Sequence, residues 1–384
     1  MAAEIVGNNL EMAMEILSHL PPETLLRFKS VQKSWYALIN DPQFVSKNLS
    51  NSLEHKCILL KRVVTNNAGE EEIMLSILNF PFNSSMSVID LDIPYDEYSR
   101  FYKINGHSHG LICFACGSFD ILLCNPATRE FRKLPPSILL TTRPSNNPDT
   151  HRSARNSIGF GYDAKSRDFK VLRVVYFFND ARHFLYYKAE IYHLSKDRWR
   201  EIEFPSYGYS SYTPEFDLYH EGVYYWWERN GKNILSFDMS EEIFGKISLP
   251  ESFNTKNLNR ENCKILGVLN GSIVVFDHEC EVNDENTFYI WEMKKDECGV
   301  ISWSNLLTIG PILGIRKPLL FVSSDEVLME DNEAQVVLYN IKTQLMNVIP
   351  LKGQGILRRC QEATFVTKNL ISVMGGNNSM SYVR

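Results

Sequence analysis

The stretch Ile121-Leu-Leu-Cys-Asn-Pro-Ala-Thr-Arg-Glu-Phe-Arg-Lys-Leu-Pro135 decides the architecture. An apolar run of strand length meets a turn-forming Asn-Pro pair, and a second short run closes on leucine and proline. The pattern returns in Ala189-Glu-Ile-Tyr-His-Leu-Ser-Lys-Asp-Arg-Trp-Arg-Glu-Ile-Glu-Phe-Pro205. It returns again in Ile234-Leu-Ser-Phe-Asp238 with Lys246-Ile-Ser-Leu-Pro250, and in Val336-Val-Leu-Tyr-Asn-Ile-Lys-Thr343 with Val348-Ile-Pro350. Tyr289 to Pro311 is a stretched copy. The closing prolines at 135, 205, 250, 311 and 350 are spaced by 70, 45, 61 and 39 residues. Periods of roughly 40–50 residues, with insertions, are what stacked four-stranded blades produce.

Outward from this repeat, short β-type runs fill the chain after residue 55. Examples are Cys57–Arg62, Met74–Asn79, Leu111–Phe114, Ile121–Cys124, Lys170–Phe177, Ala189–His193, Gly222–Trp227, Ile234–Phe237, Ser272–Phe276 and Phe288–Met293. Gly, Asn, Asp and Ser separate them, and no helical pattern of ten residues interrupts them, which excludes an alternating strand–helix fold. The expected architecture is a kelch-like β-propeller of about five to seven units, with a pair of β-sandwiches as the alternative. Before residue 50 the apolar spacing is helical instead. Met12, Ile16, Leu17 and Leu20 form one stripe, capped by Asn8 or Asn9. Pro21-Pro22 ends that helix and opens a second one carrying Leu25, Leu26, Phe28 and Lys29. Val31, Trp35, Leu38 and Ile39 carry a third, which stops at Asp41-Pro42. The chain thus divides into a three-helix module over 8–50 and a mainly β domain over 55–384, an α+β protein of two modules.

The 384 residues are 44% hydrophobic and 22% charged, ordinary values for a globular chain. A net charge of −6 offers no basic surplus for a phosphate backbone, so nucleic acid is not an expected partner. No run approaches a membrane span of ~18 apolar residues, and no basic leader followed by an apolar core opens the chain. The expected location is the cytosol or nucleus. Eight cysteines spread over this length are not the framework of a small secreted domain.

The segment Glu15-Ile-Leu-Ser-His-Leu-Pro-Pro-Glu-Thr-Leu-Leu-Arg-Phe-Lys-Ser-Val-Gln-Lys-Ser-Trp-Tyr-Ala-Leu-Ile39 resembles an F-box. Asn105-Gly-His-Ser-His-Gly-Leu-Ile-Cys113, Cys124-Asn-Pro-Ala-Thr-Arg-Glu-Phe131, Ile158-Gly-Phe-Gly-Tyr-Asp163 and Phe169-Lys-Val-Leu172 resemble the F-box-associated domain of plants, as do Ile234–Asp238 and Trp303–Gly310. Asp41–Ser52, Cys57–Leu60 and Leu306–Pro311 are most similar to pollen S-locus F-box proteins and their S-locus-like relatives. The resemblance implies the substrate receptor of an SCF-type ubiquitin ligase. A Skp-type adaptor would bind the helices, with cullin and RING subunits joined through it. For the S-locus type, the cargo would be a basic pistil ribonuclease met in the pollen-tube cytosol during self-incompatibility. Where the family opens its first helix with Leu-Pro-x-Asp, this chain has Asn8-Asn9-Leu10-Glu11.

The adaptor-binding candidates are Leu17, Leu20, Pro21, Pro22, Leu25, Leu26, Phe28, Val31, Trp35 and Leu38, with Val31 and Leu38 also expected to hold the helices together. A module this small leaves an apolar surface that asks for a partner. Cargo recognition is expected on loops 141–156, 206–216, 252–262 and 279–286. Tyr207, Tyr209 and Tyr212 offer contact area at low entropy cost, and Glu279, Glu281, Asp284 and Glu285 offer charge to a basic partner. His107-Ser-His109 with Cys113-Phe-Ala-Cys116 has the elements of a zinc site, but on a strand the two cysteines face opposite ways. No nucleophile motif, phosphate loop or acid/base pair stands out, so no catalytic residue, metal or cofactor is expected. A propeller enzyme or glycan-binding protein is the remote alternative.

Overall fold

The computed structural model describes residues 11–52, 56–65, 69, 71–82, 88–91, 103–116, 120–140, 153–179, 183–205, 218–228, 232–250, 253, 264–280, 285–351 and 356–374. Four helices come first: α1 over 11–18, α2 (Pro22–Phe28), α3 (Lys33–Ile39) and α4 (Pro42–Ser52). The last was not expected. Asp41-Pro42 reads as a stop, yet the same pair starts α4, because the Asp41 carboxylate accepts from the amides of Gln43 (2.8 Å) and Phe44 (3.3 Å). Phe44, Val45, Asn48, Leu49 and Ser52 then form its buried face.

Six four-stranded antiparallel sheets follow. Blade 1 joins β1 (Lys56–Thr65), β2 (Glu71–Asn79) and β3 (Val88–Asp90) to the last strand of the chain, β24 (Ile356–Thr367). Blade 2 is β4 (Lys103–Ser108), β5 (Leu111–Cys116), β6 (Asp120–Asn125) and β7 (Glu130–Lys133). Blade 3 is β8 (Ser153–Asp163), β9 (Asp168–Phe178), β10 (Phe184–His193) and β11 (Arg198–Ile202). Blade 4 is β12 (Leu218–His220), β13 (Val223–Trp227), β14 (Asn233–Asp238) and β15 (Ile243–Ser248). Blade 5 is β16 (Lys264–Leu269), β17 (Ser272–Cys280), β18 (Glu285–Lys295) and β19 (Ile301–Leu313). Blade 6 is β20 (Ile315–Phe321), β21 (Glu326–Asp331), β22 (Val336–Asn340) and β23 (Met346–Val348). The molecule is a six-bladed propeller preceded by helices, and the sandwich alternative falls.

The repeat read from the sequence is the outer half of a blade. Its two runs are β6–β7, β10–β11, β14–β15 and β22–β23, and Pro135, Pro205, Pro250 and Pro350 follow the outer strands. Pro311 differs, since it lies inside the long strand β19. The turn explains the Asn/Asp that ends the first run. Asn125 Oδ1 accepts from the Ala127 amide at 2.9 Å, Asp238 Oδ1 from Ser240 and Glu241 at 2.8 Å each, and Asn340 Oδ1 from Thr343 at 2.9 Å. These side chains satisfy amides that the reversing chain leaves unpaired.

Blades adhere through apolar faces and through a few buried ionic locks. Phe276 of blade 5 stacks on Phe321 of blade 6 at 4.7 Å, and Phe204 after blade 3 meets Phe244 of blade 4 at the same distance. Gly159 and Gly161 in β8 make room for blade 4, since a Cβ there would lie 2.5 Å and 2.2 Å from the rings of Tyr224 and Tyr219. Those tyrosines donate to the carbonyls of Ile158 (2.9 Å) and Tyr162 (2.8 Å). The Gly-Phe-Gly motif is thus a packing device. Beside it, the Lys170 ammonium reaches Asp163 at 2.8 Å and Glu242 at 2.9 Å, and donates to the Met239 carbonyl at 2.7 Å. Burial alone would raise the Asp163 pKa, but hydrogen bonds from Lys170, Ser166 and Ser240 outweigh it and hold the carboxyl below the usual range.

Ring closure rests on β24, which runs antiparallel to β1 from Lys56↔Thr367 to Thr65↔Ile356. A chain ending at residue 351 would leave β1 an open edge and the ring unclosed. That truncation is expected to lose more than the ~5–15 kcal/mol by which a domain is ordinarily stable. Calorimetry should show no cooperative transition where the full chain shows one.

Candidate functional site

The helical module is built around the end of α1. The carbonyls of Ser18 and Leu20, left over as the helix stops, accept from Asn48 Nδ2 of α4 at 2.9 and 3.1 Å, and Asn51 Nδ2 donates to Ser18 Oγ at 2.9 Å. Lys47 of α4 pairs with Glu15 of α1. Between α2 and α3, the rings of Phe28 and Trp35 meet at 4.9 Å, and Lys29 Nζ donates to Asn40 Oδ1 at 2.7 Å.

Leu17, Pro22, Leu25 and Leu38 are buried. Leu20, Leu26, Phe28 and Trp35 are half-buried and packed against the same core, while Pro21 and Val31 are exposed. The stripe expected to lie open is therefore divided between the chain's own interior and its surface. Leu38 does hold the helices together. Val31 does not: it sits in the turn before α3, 63% exposed. The reason is the unexpected α4, whose Phe44, Val45 and Leu49 share an apolar cluster with Leu17, Leu25, Leu38 and Ile39. That cluster continues into the propeller through Leu111, Ile121 and Leu123 and the tail residues Leu370, Ile371 and Val373.

At the propeller axis lies a cavity of about 260 Å³ walled by residues of five inner strands, β4, β12, β16, β20 and β24, and by Phe276 of β17. His107 of β4 shares a 2.6 Å hydrogen bond with Thr364 of β24, and His220 Nε2 bonds the Gly271 carbonyl at 2.9 Å. Glu362 at the wall pairs with Lys61 at 3.3 Å. The His107, His109 and Cys113 set does not converge on one point. Cys113 is buried in core, and the His109 ring packs, tilted by 57°, against Tyr162 at 4.5 Å. Among the described residues no group of three or more His, Cys, Asp or Glu side chains is placed to hold a metal ion.

Two family models match the chain. The F-box domain model covers residues 9–48, over the helices, and the F-box associated beta propeller domain model covers residues 70–383, over the blades. The chain belongs to the F-box associated β-propeller family. This F-box protein is 26% identical over 380 residues to F-box protein CPR1 of Arabidopsis thaliana, covering 89% of this chain and 84% of that one. It is 29% identical over 346 residues to the Arabidopsis F-box/kelch-repeat protein At3g17530, covering 85% and 81% of the two chains. Among solved structures, YCF48 bound to D1 peptide aligns over 82% of this chain and 95% of its own, with 9% identity and a TM-score of 0.37.

Within the F-box, Met12, Ile16 and Tyr36 join Val31 as large apolar side chains that are about 58–63% exposed. They were not among the sequence candidates, although the helical wheel contained the signal. The single stripe read over Met12, Ile16, Leu17 and Leu20 divides: at roughly 100° per residue, Met12 and Ile16 lie on one side of α1, exposed, while Met14, Leu17 and Ser18 lie on the other, turned to the interior. A helix apolar on both sides has one side to spare. Asn8 and Asn9, the proposed caps, lie outside the described residues, as do Tyr207, Tyr209, Tyr212, Glu281 and Asp284. Glu279 is described only as backbone, the eighth residue of β17, and Glu285 is exposed at the start of β18, opposite Leu313.

Burial holds His107 and His109 down to about 4. The unfolded chain takes up protons near pH 6.5 that the folded chain refuses until about pH 4, so stability falls as pH drops through that window. The slope is at most ~1.4 kcal/mol per pH unit for each ring. Urea midpoints at pH 7 and pH 5 should differ accordingly, and His107→Gln should flatten the difference.

Proposed function

We propose that this F-box protein is a non-catalytic substrate receptor of an SCF-type ubiquitin ligase. A Skp-type adaptor docks on the helices, and the propeller carries cargo. The observation that carries this reading is the side of the F-box left apolar and open after α4 has taken its share: Met12 and Ile16 on α1, with Pro21, Val31 and Tyr36 nearby in sequence. Covering four or five such side chains at ~1.5–3 kcal/mol each is enough to offset the cost of association. Cullin and RING subunits join through the adaptor, and they supply the transfer chemistry in the cytosol or nucleus.

The finer reading, an S-locus receptor for a basic pistil ribonuclease, rests on the resemblance of Asp41–Ser52, Cys57–Leu60 and Leu306–Pro311 and on the chain's acidic balance. The Arabidopsis relatives bear F-box and F-box/kelch-repeat names that say nothing of self-incompatibility, which favours the broader class of cargo.

The test separates surface from core. Ile16→Glu with Val31→Glu should weaken adaptor binding at least tenfold by calorimetry and leave the thermal unfolding of the chain unchanged. Leu25→Ala, in the buried set, should lower the stability of the module by ~2–5 kcal/mol. Wild-type affinity for the adaptor in the double variant would remove this face from the reading. Purification from plant cells with mass spectrometry then identifies the cargo: a pistil ribonuclease supports the finer reading, and any other protein supports the broader one.

A further inference from the structure

The seven residues that follow the closing strand, 368–374, reach back to the helices and to blade 2. Lys368 pairs with Glu23 of α2 at 2.7 Å. Asn369 is fully buried, and its amide donates to the His109 carbonyl at 2.5 Å, while its Oδ1 accepts from the Ile371 amide at 2.7 Å. Leu370, Ile371 and Val373 then enter the cluster that holds Leu17, Leu25, Phe44 and Leu49 of the helices. Val373 is gripped by blade 2, its amide donating to Glu130 Oε2 at 3.0 Å and its carbonyl accepting from Arg132 Nη1 at 3.2 Å.

The key to this clasp is Asn125, fully buried at the turn of blade 2. Its Oδ1 serves the turn, as at Asp238 and Asn340. Its Nδ2 lies within reach of three oxygens of the tail: the Asn369 carbonyl (3.2 Å), Asn369 Oδ1 (3.0 Å) and the Ile371 carbonyl (2.7 Å). An aspartate satisfies the turn equally well, as blade 4 shows, but here it would set a second oxygen against those three, buried and with no proton to share. Turn formation accepts either residue. The tail accepts only asparagine. Gly110 points the same way, since at φ +75° a Cβ there would lie 1.9 Å from Asn369 Nδ2 and 2.2 Å from the Thr367 carbonyl.

We propose that residues 368–374, seated by Asn125, are a clasp that fixes the F-box helices in one orientation on blade 2, making Asn125 and Asn369 positioning residues of the receptor. The clasp rests on the receptor reading only for its use: it sets the direction in which cargo is offered to the ligase. Because the same strand closes the ring and leads into the tail, helices and propeller are joined through both ends of the chain.

The test uses the full chain, free and bound to the adaptor. The variants are Asn125→Asp and, as the matched control, Asn340→Asp, which makes the same change at a turn where no tail residue bonds the side chain among the described residues. Hydrogen exchange follows the peptides covering 11–30 and 368–374. Spin–spin distance measurements between probes at exposed Gln43 and exposed Glu333 follow orientation. Wild type and Asn340→Asp should each show one narrow distance population. Asn125→Asp should at least double its width and speed tail exchange tenfold or more, with the propeller's melting transition retained and adaptor affinity within twofold. Gly110→Ala should act in the same direction. A narrow population in Asn125→Asp, or a broad one in wild type, overturns the clasp. Should the wild-type chain fail to bind the adaptor, the receptor reading fails, while the distances in the free chain still decide the clasp.

Discussion

A ring of blades has to be closed, and here closure falls to ten residue pairings between β24 and β1, separated by nearly the whole chain. Each blade is only four strands with a buried apolar face on either side, and without its neighbours those faces meet water. Closure therefore stabilises every blade at once. It also fixes where the C-terminal residues emerge, which is beside the turn of blade 2 and against the helices. Placement of the F-box on the propeller is in this sense a consequence of how the ring is shut.

Polar groups inside the molecule follow one economy. The Asn/Asp turns, the Asn48 clamp on α1 and the Lys170 network each satisfy a group that the chain's geometry has left unpaired. Asn125 stands out because it answers two such demands, one local and one from the tail. The buried Arg173–Glu190 pair of blade 3 lies 3.3 Å apart in a site where burial pushes the Glu190 carboxyl up and the guanidinium down; Glu190 also accepts from the Ile138 amide at 3.1 Å, and Trp199 covers Arg173 at 4.7 Å.

What could be read from the sequence followed burial. The ten apolar runs cited from the sequence fall in β1, β2, β5, β6, β9, β10, β13, β14, β17 and β18, the two middle strands of five blades, and the repeat adds β22 and the outer strands β7, β11, β15 and β23. Middle strands are covered on both faces and read as unbroken apolar runs; β9 is buried at every one of its eleven positions. Inner strands face the axis and carry residues such as Gly106, His107, His220 and Gly267, so their periodicity is weak. Outer strands are uneven in length, from three residues in β3 and β23 to thirteen in β19. The F-box was legible by motif, but α4 hid behind a proline that opens helices as readily as it ends them. The division of the apolar stripe, with Leu25 inside and Val31 outside, depended on that hidden helix.

By itself the sequence determined the composition of the parts: a helical module with more apolar surface than it can bury, and strand pairs joined by Asx turns at blade-like intervals. These are local properties, set by side-chain periodicity and by the hydrogen bonds a residue makes within a few positions of itself. Blade number, the join of β24 to β1, the depth at which each F-box side chain lies and the second role of Asn125 were decided only by tertiary structure. Each depends on contacts between residues far apart in sequence, 311 positions for Lys56 and Thr367, and no local pattern encodes which distant surface will cover a given face.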